Sequence, residues 1–146
     1  MKKVFVLFLF SLAACGLQPK EPVAGIYDIT LTPTSMTPSS SSVYCPALDN
    51  PTKLIIELVK ENGEWSLYGC NSDCSQKLLL AISSDGNTFN PRGCSGPWCE
   101  NIVFNLTCNT HSGETTINGD AIITLTMPQY APSSCTETET VEGTKR

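Results

Sequence analysis

Histidine occurs once in this 146-residue chain, at His111, and basic residues are scarce, nine Lys and Arg against fourteen Asp and Glu. A hydrolase triad or a histidine metal centre needs partners close by. His111 falls in the polar turn Thr110–Gly113, where it reads as a solvated turn residue. The net charge of −5, with no block of basic residues, argues against nucleic acid as a partner. No Gly-rich phosphate loop, no C-x-x-C pair and no internal repeat is present. The missing C-x-x-C excludes the usual thiol oxidoreductase arrangement. No acidic residue stands on an apolar run where its pKa would be raised. Glu137, Glu139 and Glu142 alternate with Thr or Val and read as a solvated strand face. No catalytic constellation emerges, so the chain is expected to be no enzyme and to carry neither cofactor nor metal.

Long hydrophobic runs are also missing. The longest extends from Val4 to about Ala14, well short of the roughly 20 residues that cross a bilayer as a helix. It follows Lys2-Lys3 and ends in Leu12-Ala13-Ala14-Cys15. A basic start, a short apolar stretch and small residues at the cut site make a secretory signal peptide. With a Cys at the first mature position, the segment resembles a bacterial lipoprotein signal, whose lipobox is an aliphatic residue, two small residues and a Cys. The resemblance implies cleavage after residue 14 and lipidation of Cys15, which would tether the protein to a membrane. Gly16 stands where an Asp would signal inner-membrane retention, so the resemblance favours the outer membrane. The mature chain keeps seven basic residues against fourteen acidic, a balance of −7.

What remains is one domain's worth of chain, divided as residues 1–14 signal, 15–24 lipidated Cys and linker, and 25–146 domain. Helical signals are nearly absent from it. Thr, Ser, Val, Ile and aromatics are punctuated by Gly, Asn, Asp and Pro. About eight short strands are expected: Ile26–Thr32, Lys53–Lys60, Trp65–Cys70, Lys77–Ser83, Thr88–Asn90, Asn101–Asn109, Thr115–Met127 and Cys135–Val141. Asn62-Gly63 and Asp85-Gly86 mark tight turns. Pro33–Ser42, rich in Ser, Thr and Pro, reads as a flexible loop. The fold class is therefore all-β, an antiparallel meander closed into a barrel or packed as a sandwich. Its inward set is expected to include Tyr27, Leu31, Leu54, Ile56, Leu58, Trp65, Leu67, Phe89, Phe104, Ile123 and Leu125. Gly25-Ile26-Tyr27 at the start and Val141–Arg146 at the end resemble lipocalin-like barrels, with Tyr27 replacing that family's first-strand Trp. That resemblance implies a barrel with a basic residue beneath its first strand.

Seven cysteines remain once Cys15 is lipidated, and in an exported protein they read as disulfides. In a meander, successive connections alternate between two ends. The tight turns hold no Cys. The longer connections carry Cys45, Cys70, Cys74, Cys94, Cys99 and Cys135, all at the opposite pole. Cys108, on the inward face of its strand, is expected to stay a free, buried thiol. Three bridges should staple the loop pole, with Cys70–Cys74, Cys94–Cys99 and Cys45–Cys135 as one pairing and exchange between the two short pairs as another. Zinc at the Cys70-x3-Cys74 and Cys94-x4-Cys99 spacings is the lesser alternative.

Trp98, between two cysteines in a Gly/Pro loop, is either an exposed contact residue or a plug for the barrel mouth, and Tyr44 belongs to the same pole. Strand parity turns this pole away from the membrane. The expected role is a non-catalytic, lipid-anchored envelope lipoprotein that meets an unknown protein or small molecule through its stapled loops. A small apolar ligand carrier using the barrel interior is the alternative, ranked lower because the inward set looks large enough to fill the core. An enzyme of unrecognised type comes third.

Overall fold

The computed structural model describes residues 21–127 and 133–146. Nine antiparallel strands form one sheet. They are β1 (Gly25–Pro38), β2 (Thr52–Glu61), β3 (Glu64–Cys70), β4 (Lys77–Ser83), β5 (Thr88–Phe89), β6 (Arg92–Ser95), β7 (Trp98–His111), β8 (Glu114–Thr126) and β9 (Ser134–Lys145). The order β4-β3-β2-β1-β9-β8-β7-β5 puts β4 and β5, neighbours in sequence, at the two ends. The sheet therefore curls into a near-closed barrel. The seam between β4 and β5 is spanned by a turn in which Asp85 Oδ1 accepts from the backbone of Asn87 and Thr88 and from Ser83 Oγ. Those three bonds, Thr88's first, hold the Asp85 carboxyl below its ordinary range.

Turn chemistry accounts for the tight pole. Asn62-Gly63 and Ser112-Gly113 both take positive φ and join strands paired up to Glu61–Glu64 and His111–Glu114. Such two-residue turns match the twist of the strands they connect. The β4–β5 turn lies at the same pole, with Gly86 against Trp65, whereas the β1–β2, β3–β4 and β6–β7 connections lie at the opposite pole, with Cys45, Cys70, Cys74, Cys94 and Cys99.

Side chains alternate as period two requires, and the inward set packs the tight-turn half of the barrel. Tyr27, Ile29, Leu31, Ile56, Leu58, Trp65, Leu67, Phe89, Phe104, Leu106, Cys108, Ile117, Ala121 and Val141 form one buried cluster. Cys108 is a buried free thiol, 3.6 Å from the Tyr27 hydroxyl, which donates to the Val23 carbonyl at 2.7 Å. Burial, more than the thiol, pushes the Tyr27 phenol well above its usual pKa. Opposite Tyr27 in register lies Lys145, which runs over Gly25.

Several expectations need correction. Pro33–Pro38 is strand: β1 continues past a bulge between Pro33 and Ser35 and pairs with β9 as far as Cys135. Beyond Leu31 this half of β1 has no partner in β2. Proline is tolerated at such an edge and at bulges, because no ladder donor is lost. Arg92–Ser95 adds a ninth strand, paired with a β7 that starts at Trp98 and not at Asn101. The last strand runs to Lys145, because its partners β1 and β8 both extend beside it. The linker ends sooner than Ala24: Pro22 is buried and Val23 packs against the core, closing the tight-turn end. Of the expected inward residues, Leu54 is 40% exposed, and Ile123 and Leu125 are only half-buried. All three lie toward the loop pole, where β1 and β2 part company and the core stops. On β4, the edge beside the seam, Leu78, Leu79, Leu80 and Ile82 are all exposed.

Candidate functional site

The loop pole is held by three disulfides, Cys45–Cys135, Cys70–Cys74 and Cys94–Cys99. Cys94 and Cys99 face each other across the β6–β7 hairpin, whose two-residue turn is Gly96-Pro97. Gly96 has φ +59°, a conformation that suits glycine. Trp98 is thereby the first residue of a strand, half-buried and held opposite Ser95. Tyr44 precedes Cys45 and is 92% exposed. The Cys45–Cys135 bridge ties the β1–β2 loop to β9, and so brings Tyr44 and Trp98 to one cleft. This cleft holds about 300 Å³ and is lined also by Val43, Met127, Ser134 and Cys135.

Below Cys135 on the same face of β9 come Glu137, Glu139 and Val141, all buried. This overturns the solvated-face reading of Glu137 and Glu139; Glu142, of opposite parity, is exposed. In register they face apolar neighbours: Glu137 lies opposite Ile123 and Met36, Glu139 opposite Ala121 and Pro33. Glu137 Oε1 and Glu139 Oε2 have no hydrogen-bond partner. Burial pushes both carboxyls above their ordinary range. For Glu137 the charges of Asp49 and Glu100 add to it, and for Glu139 those of Glu137 and Asp49. The ion pairs among the described residues are Lys60–Glu21, Lys77–Glu57 and Arg146–Asp28, so no cation offsets these four acids there.

A pH dependence follows. In the unfolded chain both glutamates ionise near the ordinary value of 4.5, while in the barrel they keep their protons to higher pH. Their stabilising contribution is therefore complete below about pH 4.5 and is lost as pH rises toward the folded values. Converting both to Gln should remove that slope and raise stability at pH 7 relative to wild type, because a neutral amide costs less to bury than an ionised carboxyl. Urea unfolding from pH 4 to 8 tests this. The difference between wild type and the double variant isolates the pair from Asp28 and Asp85, whose lowered pKa values act in the opposite sense.

Other hollows and clusters carry less chemistry. A groove of about 900 Å³ runs along β1, β2, β8 and β9, where Asp28, Thr30, Lys53, Glu142 and Thr144 line it together with Leu54 and Ile55. Glu57, Cys70 and Cys74 bring three potential metal donors within 4.8 Å. Both sulfurs are joined to each other, and Lys77 donates to Glu57 Oε2 at 2.7 Å. A metal would have to displace the amine and open the bridge. His111 ends β7 at the tight-turn pole, exposed and away from the cleft. Cys15 lies outside the described residues.

Sequence reasoning missed the glutamates because Thr136-Glu137-Thr138-Glu139-Thr140 is polar on both parities. The available signal was Cys135 and Val141, which share the odd parity of both glutamates and mark it as the inner face. Comparison with family models, with curated proteins and with solved structures found no match.

Proposed function

We propose that this protein is a lipid-anchored, non-catalytic binding protein of the bacterial envelope, which holds a small ligand in the mouth of its barrel. One observation carries the reading. The barrel is packed only in its tight-turn half, and at the other end the bridged loops frame an aromatic cleft between Tyr44 and Trp98. Clefts that combine apolar walls with a few placed polar groups are the usual small-ligand sites. Ligand binding at the barrel mouth is favoured over a purely structural role because Trp98 and Met127, on the cleft wall, and Ile123 and Leu125, on the inner face of β8, are only half-buried. The anchor reading rests on Leu12-Ala13-Ala14-Cys15, and it accounts for an acidic, bridge-rich domain in an oxidising space.

Native mass spectrometry of the protein purified from its own envelope tests both parts. The expected result is an acylated Cys15 together with a non-covalent adduct that is lost in a Tyr44→Ala, Trp98→Ala double variant. An unacylated Cys15 would overturn the anchor. Absence of any adduct, or one indifferent to both aromatics, would overturn the binding site.

A further inference from the structure

The two unpartnered glutamates say what kind of ligand the mouth takes. Glu137 and Glu139 are each more than nine-tenths buried, at 7% and 6% exposure, and each has a carboxylate oxygen without a donor. Native interiors rarely leave such acceptors empty, and an exception calls for an explanation. Two acceptors lacking donors are complemented by a group that only donates. A primary ammonium, with three donors and no acceptor, is such a group.

Three further features point the same way. Asp49 adds negative charge close enough to be felt by both glutamates, and Glu100 by Glu137. No described cation neutralises any of the four. The cleft lined by Tyr44 and Trp98 borders the same face of β9, and aromatic faces attract cations. Cys135 both lines that cleft and stands two residues from Glu137 on the inner face of β9, roughly 7 Å along the strand. A ligand whose body rests between the aromatics would need an arm of about that length to meet Glu137, with Glu139 two residues further along the same face.

A hard metal ion fits less well. Calcium takes six to eight oxygen donors. Among the described residues, the one group of three or more potential donors within 4.8 Å is Glu57, Cys70 and Cys74, which leaves the buried pair without a third carboxylate at ligating distance.

We infer that Glu137 and Glu139 form a binding site for the ammonium group of a small organic cation, whose apolar part lies in the Tyr44–Trp98 cleft. This rests on the cleft being a ligand site, and the experiment separates the two claims. Full-length protein in detergent micelles is titrated calorimetrically at pH 7.5 with butylammonium, with 1-butanol as the neutral probe of equal length and with Ca²⁺ alone. The same titrations follow on Glu137→Gln, Glu139→Gln and on Trp98→Ala. Butylammonium should bind at least tenfold more tightly than butanol. The glutamine variant should abolish that preference, and Trp98→Ala should weaken both probes. Because Gln matches Glu in shape and removes an unpaired acid, circular dichroism should show the variant folded. Equal binding of both probes, lost only in Trp98→Ala, would overturn the ammonium site and leave the cleft standing. Binding of Ca²⁺ through the glutamates, without butylammonium, would overturn it in favour of a metal. Failure of every probe, in wild type and variants alike, would overturn the site and count against the cleft as well.

Discussion

Replacing Cys45 and Cys135 together by alanine is expected to lower the unfolding free energy by about 4–5 kcal/mol. The bridge spans 90 residues of sequence, whereas Cys70–Cys74 and Cys94–Cys99 span 4 and 5. Chain-entropy reasoning makes the cost of closing a loop grow with the logarithm of its length, so each short bridge is worth only about 2 kcal/mol. Chemical unfolding of the oxidised protein and of the three paired variants should rank them in that order. Equal losses would show that native-state contacts outweigh the constraint on the unfolded chain. The long bridge also has a local task. It ties the loop bearing Tyr44 and Asp49 to the strand bearing Glu137 and Glu139, so its removal should loosen the Tyr44–Trp98 cleft and weaken the proposed binding of a cation even where the barrel persists. The hairpin bridge should affect mainly Trp98.

Gly119→Ala, or Gly143→Ala, is expected to be nearly as damaging, with a loss of roughly 3 kcal/mol, at the upper end of overpacking effects. Both glycines sit at inward positions, opposite each other's neighbours in the ladder: Gly119 pairs with Leu106 and Val141, Gly143 with Ile29 and Ile117. A Cβ on Gly119 would collide with the Asn105 carbonyl, and one on Gly143 with the Asp28 carbonyl. These are backbone atoms, which cannot swing aside as a side chain can. Glycine inside a strand often marks such a close approach or a tight bend at a barrel corner. Gly63→Ala is the contrast, with nothing within 4 Å of its added Cβ, although its φ of +85° still imposes some strain. Thermal melts should show the two interior variants well below both wild type and Gly63→Ala. A melt for Gly119→Ala within a degree or two of wild type would mean that the strands can re-coil to make room.

Neither effect could be anticipated strand by strand. Within Thr115–Met127 the period of Ile117, Ala121, Ile123 and Leu125 is plain, and Gly119 reads only as a gap in it. Its importance depends on β7 curving close behind, which is a property of the closed sheet. The same holds at Pro33–Pro38. Two prolines among Ser and Thr carry the local signature of a loop, yet the long β9 supplies hydrogen-bond partners there. The glutamates are the sharpest instance. Hydrophobicity gives β9 no preferred face between Thr136 and Thr140, and a slip of one residue would exchange the faces entirely. Register with β1 and β8, fixed at Val141 and Cys135, places the carboxylates inside.

From its order of residues alone, the chain dictates an all-β meander, tight turns at Asn62-Gly63 and Asp85-Gly86, and six cysteines toward one end. Those features are local or follow from parity, because turn geometry and two-residue alternation act within a few residues. The closed sheet decides the rest: which polar face of β9 is buried, where glycine is obligatory, how far the core extends, and that Tyr44 and Trp98 share a cleft. Each of these joins residues far apart in sequence. They are settled by register and curvature across several strands, and no window of sequence contains them.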